Sequence, residues 1–408
     1  MSTLNPNIIL QRIPEVRLRL DSTGGAQIQI GSNTINCGSY CLAILDAFTA
    51  PTSLSAAVEK ISIQTTGSVA WIDLTSTIVS LYKAGVLREP GPYAPELMAN
   101  PAPFDKTSIQ AAMLNDRART SSYLAGISEV VRDGDVVVDI GTGTGVLAIA
   151  AAKAGAKHVY AIEAGNIGKL AQDNFKANGL TNRITLVEGW STRIDLPEPA
   201  DVLVSEIIGN EPLSENVLEV TADACMRLLK PNARLVPNRL RVFALPVEIP
   251  TDDLAGRAFS AESSHNWSSW YGFDFSPIAM IAATKYQSFS VKPEKARDWN
   301  ALSDPILLAD INLHTITALT IDVSVPANAS ASGQINGVLE YFELELGPSV
   351  RLSTHPMQAD HDSCWHNLVW VLPKPLELSA GQRFSVSYKY RKGEERSQIV
   401  VIGSDGDG

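Results

Sequence analysis

The sequence predicts an α/β domain built on a parallel sheet, preceded by a small α+β module and followed by an all-β domain. Three observations support this order. Strand-like and helix-like segments alternate between residues 131 and 237. After Pro237 helical periodicity becomes scarce and strand-like segments recur. The first 92 residues combine a hairpin pattern with helical stretches, and the Pro/Gly-rich run that begins at Glu89 is typical of a linker.

Composition and charge narrow the possible functions. A chain of 408 residues, 45% of them hydrophobic, has the size for two or three globular domains. Its net charge of −11 argues against a nucleic-acid partner, because the phosphates would be repelled. No apolar run is long enough to cross a bilayer, and the N-terminus lacks a signal-peptide pattern. We therefore expect no membrane contact. Since the four cysteines form no CxxC pair and no disulfide-dense cluster, we also expect a cytoplasmic protein without a metal site.

Residues 1–92 predict a winged-helix-like module. Regular alternation over residues 16–30 indicates a β-hairpin whose Gly-rich turn is Asp21–Gly25. Helical stretches are expected near residues 37–48, 53–62 and 70–84. Ser53 is placed to cap the second helix, and Gly85 is placed to end the third.

The remaining elements follow from apolar runs and their spacing. In the α/β region, strands are predicted at Val136–Ile140, Val159–Ile162, Ile184–Val187 and Val202–Val204, with helices at Val146–Ala154 and Asn216–Leu229. In the all-β region, strands are predicted at Arg241–Val247, Ile311–Thr317, Ala318–Val325, Gly337–Leu346, Asn367–Leu372 and Phe384–Lys389. This region is interpreted as a β-barrel or sandwich that carries an insertion at Pro250–Ala283.

A glycine-rich loop between a strand and a helix indicates a cofactor site. In Asp139-Ile-Gly141-Thr-Gly143-Thr-Gly145 the glycines let the backbone approach a ligand closely. The dinucleotide fingerprint would need glycine at position 146, which is Val146, so a cofactor without a pyrophosphate is favoured. Glu163 closes the next strand, where an acid can accept ribose hydroxyl hydrogen bonds. The alternative is a purely structural turn.

Two carboxylates, Glu206 and Glu215, follow the strand that ends near Val204. Ligand sites in open α/β sheets gather outside the carboxyl ends of strands, and Gly209 permits a reversal that returns Glu215 beside Glu206. Two carboxylates can hold a guanidinium through its rigid fork of donors and orient one nitrogen toward a methyl donor. The alternative is a strand-end acid followed by a helix N-terminal charge.

Together these motifs resemble the protein arginine methyltransferase family over residues 104–408. Met113-Leu-Asn-Asp-Arg-Ala-Arg119 is similar to the helix that precedes the cofactor loop, and Ser205-Glu206 through Glu215 matches the two-glutamate hairpin. The resemblance implies a Rossmann-like class I methyltransferase domain over residues 104–237 and a β-barrel substrate domain over residues 238–408. It also implies S-adenosyl-L-methionine as cofactor, with S-adenosyl-L-homocysteine as its product.

The resemblance assigns roles to individual residues. Glu206 and Glu215 are the implied catalytic pair, and the arginine matching Arg119 grips the cofactor carboxylate. Gly189-Trp190-Ser191 lies where the adenine is normally held. The full set of implied cofactor-binding residues is Met113, Arg119, Asp139, Gly141, Thr142, Gly143, Gly145, Glu163, Ala164, Gly189, Trp190 and Ser191.

The chain also departs from the family pattern. Ser363-Cys364-Trp365 stands where the family commonly has Thr-His-Trp, so Cys364, Trp365 and His366 are candidate substrate-binding residues, with His361 or His366 as a substitute for the missing histidine. The paired tyrosines of the family's N-terminal helix are not evident, and Phe104 is the nearest aromatic residue. Ile207-Ile208 replaces Trp-Met after the first glutamate. These changes leave the size of the substrate and the methylation product open.

The expected activity is methyl transfer to the guanidino nitrogen of free arginine or of an arginine in a peptide, in a bacterial biosynthetic pathway. Methylation of another metabolite, or a cofactor-binding interaction protein without turnover, are the alternatives. The module at residues 1–92 is similar in outline to the small PqqD-like modules that bind leader peptides, such as the pyrroloquinoline quinone chaperone. It could instead bury surface in a dimer.

An aromatic cluster within residues 250–283 resembles the family's dimerisation arm. Its members are Trp267, Trp270, Tyr271, Phe273 and Phe275. Dense exposed aromatic clusters usually mark an interface, so we expect a homodimer. In the alternative, these side chains fold back onto their own barrel.

Overall fold

The computed structural model describes residues 5–13, 16–20, 26–30, 33–62, 67–90, 103–316, 318–391 and 397–403. The chain forms two compact units, Met1–Ala102 and Pro103–Gly408. The further division near residue 237 stays a prediction. Throughout these described ranges, no helix is both long and apolar enough to cross a membrane, and the cytoplasmic location stays a prediction.

The N-terminal unit contains short strands and three helices in its described part. They are β1 Ile9–Arg12, β2 Arg17–Leu20, β3 Ala26–Ile30, β4 Asn33–Cys37, α1 Cys41–Ala47, β5 Thr52–Ser53, α2 Leu54–Ser62, α3 Ser68–Lys83 and β6 Leu87–Arg88. Strands β2, β3 and β4 form one antiparallel sheet, and β1 pairs with β5 and β6 in another. A separate core, which includes Leu10, Ile28, Phe48 and Leu81, holds these elements together.

The predicted hairpin is confirmed by the pairing of β2 with β3, although its turn, Asp21–Gly25, lies outside the described residues. The Ser53 hydroxyl accepts a hydrogen bond from the Ala56 amide (3.3 Å), as an N-cap does. Gly85 follows α3 with φ of +72°. The first helix begins later than predicted, at Cys41, because Cys37 belongs to the end of β4. The winged-helix interpretation stays a prediction, and most of the predicted linker lies outside the described residues.

The second unit begins with an α/β region. Its elements are α4 Thr107–Asn115, α5 Arg117–Val130, β7 Val136–Ile140, α6 Val146–Lys153, β8 His158–Glu163, α7 Gly168–Ala177, β9 Ile184–Glu188, β10 Ala200–Ser205, α8 Val217–Arg227 and β11 Leu229–Val236. The strands form a parallel sheet in the order β11-β10-β7-β8-β9, which confirms the predicted fold of this region. Because the strands are parallel, β7, β8 and β10 all end at the same edge.

One boundary in this region was wrong. The helix predicted to extend to Leu229 ends at Arg227, and Leu229 already belongs to β11, which the sequence reading missed. Pairing with β10 decides this assignment, because Leu229 aligns with Ala200 and Leu235 with Leu203. Apolar runs do not reveal this strand, because Lys230 to Asn232, near its start, interrupt the apolar pattern.

The rest of the unit is mostly β-structure. Its elements are β12 Arg239–Glu248, α9 Thr251–Ala255, α10 Ala261–Tyr271, α11 Ser276–Thr284, β13 Gln287–Val291, α12 Pro293–Ala296, β14 Asn300–Ala301, β15 Ile306–Asn312, β16 Ile321–Asn328, β17 Gly333–Glu345, β18 Arg351–Ser353, β19 Asn367–Leu378, β20 Arg383–Tyr390 and β21 Gln398–Gly403. One antiparallel sheet runs β13-β19-β17-β12-β14, with β15 beside β12 and β18 beside β17. A second sheet runs β16-β20-β21. The insertion predicted at Pro250–Ala283 is the helical segment α9–α11.

The strand predicted at Ile311–Thr317 is wrong in its position. Strand β15 ends at Asn312, and the next residues turn, because the Asn312 side chain accepts a hydrogen bond from the His314 amide (2.9 Å). The next strand, predicted from residue 318, begins at Ile321. Strands β13, β14, β18 and β21 were not predicted.

Candidate active site

The glycine loop lies between β7 and α6 and takes a shape that side chains would block. Gly141, Gly143 and Gly145 have φ angles of +77°, +54° and +85°. Space is limited as well, since a Cβ on Gly141 would come within 2.8 Å of Ile207. A Cβ on Gly145 would clash with Phe175. Both the backbone angles and the close packing therefore require glycine.

Asp139 and Thr142 are joined by a hydrogen bond at the base of this loop. Asp139 is fully buried, and its Oδ2 accepts a hydrogen bond from the Thr142 hydroxyl (2.6 Å). Burial raises the pKa of Asp139 to about 7. A hydrogen bond with the Ala148 backbone, like the one from Thr142, partly offsets this effect of burial.

Glu163 connects the glycine loop to the turn after β8. Its carboxylate accepts hydrogen bonds from the amides of Gly143 (2.8 Å) and Gly165 (2.7 Å). Ala164 lies between Glu163 and Gly165 in this turn. Burial raises its pKa. Each carboxylate oxygen retains a second lone pair, so the backbone bonds do not exhaust its capacity for ligand hydroxyls.

The segment predicted to hold the adenine lies beside Glu163. The Gly189 amide donates to the Glu163 carbonyl (2.8 Å), and Gly189 has a φ of +132°. Ser191 is buried, and its carbonyl accepts a hydrogen bond from Arg227 (2.9 Å). The Trp190 side chain is 54% exposed, so it does not form part of a closed pocket wall in this structure.

The two predicted carboxylates lie in one hairpin at the end of β10. Glu206 is buried, and its Oε1 accepts a hydrogen bond from the Ile208 amide (3.3 Å). Burial, with a further contribution from the charge of Glu206, raises the pKa of Glu215 to about 7. A Cβ on Gly209 would lie 2.7 Å from the Ser214 hydroxyl and 3.0 Å from Glu215 Oε1. Glycine at this position therefore lets the hairpin fold back tightly.

Arg119 joins the cofactor loop region to this hairpin. Its guanidinium forms a buried ion pair with Glu206, and it lies over the Trp365 ring at 5.3 Å from the centroid. It also donates to the Met113 carbonyl (3.4 Å). The sequence assigned Arg119 to the cofactor carboxylate and did not foresee the pair with Glu206. Its Nε has no hydrogen-bond partner among the described residues.

The loop before β19 docks on the same hairpin. The Trp365 indole donates to the Ile208 carbonyl (2.7 Å), and the His366 amide donates to Asn210 (2.8 Å). Burial raises the pKa of Cys364 to about 12, so the thiol stays protonated at neutral pH and cannot act as a base there. His361 is exposed and contacts Asp360 and Asp362 instead of the hairpin.

Sequence reasoning missed Asp116. This buried carboxylate caps α5 by accepting a hydrogen bond from the Arg119 amide (2.9 Å), and its other oxygen accepts one from the Cys364 amide (2.8 Å). It therefore joins the helix that carries Arg119 to the loop that carries Trp365. An aspartate directly before a helix is a recognisable N-cap signal, but the contact with Cys364 has no local signal.

A second buried acid was missed on β17. Glu340 is fully buried, and its Oε2 accepts a hydrogen bond from the Trp370 indole (3.3 Å). Burial, and secondarily the charge of Glu211, raises its pKa to about 8. Its carboxyl group is therefore mostly protonated at neutral pH.

Comparisons with known proteins agree with this geometry. Residues 117–236 match the family described as ribosomal protein L11 methyltransferase (PrmA), and residues 254–402 match the arginine methyltransferase oligomerization subdomain. The protein arginine N-methyltransferase 1 of Schizosaccharomyces pombe is 30% identical over 313 residues, which cover 73% of this chain and 88% of that protein. The probable histone-arginine methyltransferase 1.4 of Arabidopsis thaliana is 33% identical over 285 residues, but these span only 53% of its length.

Solved structures show the same fold. The Trypanosoma brucei PRMT1 enzyme–prozyme heterotetrameric complex with AdoHcy superimposes with a TM-score of 0.62, covering 74% of this chain and 100% of that chain at 22% identity. The Arabidopsis thaliana protein arginine methyltransferase 10 gives 0.61, covering 75% and 96% at 23% identity. The chain belongs to the protein arginine methyltransferase family, a class of enzymes that depend on S-adenosylmethionine.

Proposed function

We propose that this chain transfers a methyl group from S-adenosylmethionine to a guanidino nitrogen of arginine. One observation carries the proposal most directly. Glu206 and Glu215 lie in a single hairpin at the carboxyl edge of the parallel sheet, and Arg119 links that hairpin to the helix before the glycine loop. A site that must hold a cation beside a cofactor needs this combination of charge and position.

The residues at the loop fit the cofactor. Arg119 Nε is a buried polar atom without a partner in the described part of the chain, and the glycines leave the loop free of side chains. Glu163 would accept the ribose hydroxyls, and Arg119 would hold the carboxylate. Met113, Thr142, Ala164 and the segment Gly189–Ser191 complete the proposed binding set. The cofactor supplies the methyl group, carried on a sulfonium sulfur.

The hairpin carboxylates bind and orient the guanidinium. With the cofactor bound, the two carboxylates would hold one guanidino nitrogen toward the methyl group, which that nitrogen would receive in exchange for a proton. The proton released from nitrogen goes to Glu215, whose raised pKa of about 7 suits a group that accepts a proton near neutral pH. Glu206, which is paired with Arg119, fixes the direction of the substrate.

The substrate class is proposed from the relatives and from the site. Relatives named for histone-arginine and protein arginine methylation make an arginine residue in a protein or peptide the first substrate to test. Free arginine, and a role in a bacterial biosynthetic pathway, are the further proposals. Cys364, Trp365 and His366 would line the approach to the guanidinium, because their loop rests on the hairpin.

The N-terminal unit is proposed to bind peptide. The two family matches begin at residues 117 and 254, so neither includes it. It has its own core and exposes Trp71 and Ile72 on α3. A PqqD-like role in presenting a leader peptide fits this arrangement. The test is truncation of residues 1–92, followed by a comparison of the KM for peptide with the KM for free arginine.

Assembly as a homodimer is proposed through the helical insertion. Trp270, Tyr271 and Phe273 are 65%, 60% and 69% exposed, whereas Trp267 and Phe275 pack against each other inside the insertion. The insertion begins the segment that matches the oligomerization subdomain. Three exposed aromatic rings in one short segment favour a protein–protein interface. Light scattering of a chain lacking residues 251–270 tests this, since the proposal requires that the deletion be monomeric.

The activity itself is tested by mass spectrometry. The purified chain is incubated with S-adenosylmethionine and either an arginine-containing peptide or free arginine. The expected product carries the added mass of one or more methyl groups on the guanidine. Binding of the cofactor without methylation of any guanidine would contradict the proposal and favour a protein that binds the cofactor without turnover.

A further inference from the structure

The Asp105 carboxylate joins the segment before α4 to the turn that precedes α7. Asp105 ends a 3₁₀ turn at Pro103–Asp105, just before α4. Its Oδ1 accepts a hydrogen bond from the Ile167 amide (3.0 Å), and its Oδ2 accepts one from the Asn166 side chain (3.2 Å). A Cβ on Gly165 would come within 2.5 Å of Asp105 Oδ1, so the carboxylate lies directly on this turn.

The same contact satisfies the start of helix α7. Ile167 immediately precedes α7 and has no side chain that can cap it. The Asp105 carboxylate places a negative charge near the positive end of the helix dipole, which is a favourable position. A charged acceptor also makes a stronger hydrogen bond to a backbone amide than a neutral one. The contact therefore stabilises the start of α7.

A second contact places the following helix on the glycine loop. The Gln110 side chain is buried and donates to the Phe104 carbonyl (2.9 Å). A Cβ on Gly143 would lie 3.3 Å from Gln110 Oε1, which shows that Gln110 packs closely on this glycine. Segment 103–115 thus contacts both the glycine loop and the turn at residues 165–167. Glu163 joins these same two loops.

We propose that Asp105 is a positioning residue for cofactor binding, which holds segment 103–115 across the glycine loop and the turn after Glu163 and so slows escape of the cofactor. This inference rests on the proposed function, because it requires S-adenosylmethionine between these two loops. Without the carboxylate, the segment loses its anchor on α7, while the hairpin that carries Glu206 and Glu215 keeps its contacts. Cofactor affinity should therefore change much more than the rate of methyl transfer at saturation.

The test measures the affinity and dissociation rate of S-adenosylhomocysteine by calorimetry and stopped-flow fluorescence. Asp105→Ala should bind it about 10-fold more weakly, through faster dissociation, since hydrogen bonds to a charged group are lost. Asp105→Asn, which keeps an acceptor for the Ile167 amide, should dissociate about 3-fold faster. The kcat at saturating cofactor should stay within about twofold of wild type. Asp173→Ala, an exposed acid on the same helix, is the matched control and should behave as wild type.

Hydrogen exchange separates this role from a purely structural one. S-adenosylhomocysteine should slow amide exchange across residues 103–115 in the wild type, and should fail to do so in Asp105→Ala even at saturation. Wild-type affinity and protection in a folded Asp105→Ala, or an equal loss in Asp173→Ala, would overturn the proposal. Should Asp105→Ala not fold, a wild-type dissociation rate in Asp105→Asn would overturn it. A wild-type chain that does not bind the ligand at all would instead overturn the proposed function.

Discussion

Arg119 and Glu206, which are 87 residues apart in the sequence, form a buried ion pair that joins helix α5 to the two-carboxylate hairpin. The pair connects the residue expected to hold the cofactor carboxylate with one of the two acids expected to hold the substrate. Both side chains are almost fully enclosed, so each charge depends on the other for compensation. We therefore expect the proposed cofactor and substrate sites to be coupled through this ion pair.

The first prediction tests that dependence by a double-mutant cycle. Arg119→Met and Glu206→Gln should each lower the free energy of unfolding by about 3–5 kcal/mol, because either change leaves one buried group without its partner. The double variant should lose clearly less than the sum of the two. Denaturant unfolding measures all four proteins. Losses that add within about 0.5 kcal/mol would show that the two side chains are not coupled.

The second prediction concerns the hairpin acids. Glu206→Gln and Glu215→Gln should each reduce kcat by about 10²–10³-fold, since each removes a charge oriented toward the reacting guanidinium. Affinity for S-adenosylhomocysteine should change far less in Glu215→Gln, because Glu215 is proposed to contact the substrate and not the cofactor. Glu198→Gln, a partly exposed acid paired with Lys157, serves as the control. Wild-type turnover in both hairpin variants would exclude the carboxylate-pair mechanism.

The third prediction is the pH dependence of activity. Glu215 must be ionised to accept the proton, and burial beside Glu206 raises its pKa to about 7. It is therefore mostly protonated below that pH and ionised above it. The value of kcat/KM should rise with pH through about 7, since this parameter reports the free enzyme. Steady-state rates from pH 5.5 to 9 measure the profile. Glu215→Gln should lose this ascending limb along with most of its rate, and an unchanged limb would assign the titration to another group.

The fourth prediction is the pH dependence of stability at Glu340. Burial raises the pKa of this acid from its usual 4.5 to about 8, so the folded chain retains a proton that the unfolded chain releases. The contribution to stability is full below pH 4.5 and is lost as pH rises toward 8. Glu340→Gln keeps an oxygen for the Trp370 indole but cannot ionise. As pH rises over this range, the free energy of unfolding of Glu340→Gln should fall less steeply than that of the wild type. The difference in slope should correspond to about one bound proton.

Urea unfolding at several pH values measures these slopes. Glu343→Gln removes a carboxylate from the same strand at a partly exposed position near Arg241, and it serves as the control. Equal slopes for wild type and Glu340→Gln would show that Glu340 does not hold the extra proton.

Much of the fold and part of the site follow from local sequence. Apolar runs of strand length alternating with helical periodicity predict the parallel sheet, because buried strands and amphipathic helices leave different periods in the sequence. The glycine loop and the Glu206–Glu215 spacing are also local. Their chemistry is set by residues within a few positions of a strand end, so position and role can be inferred together. The error at Ile311–Thr317 arose where the backbone turns after Asn312, whose side chain accepts a hydrogen bond from the His314 amide.

Only the tertiary structure decided which distant residues meet. Asp116 contacts Cys364 across 248 positions, Arg119 contacts Glu206 across 87, and Asp105 contacts Ile167 across 62. Sequence patterns report which face of a helix or strand is apolar, but a polar residue brought to a partner by chain folding has no periodic signal. The burial of Glu340 depends in the same way on the sheets around it. The sequence by itself determined the class of the fold and the position of the two hairpin carboxylates at a strand end. Packing between distant segments determined which partners these groups have and how deeply they are buried.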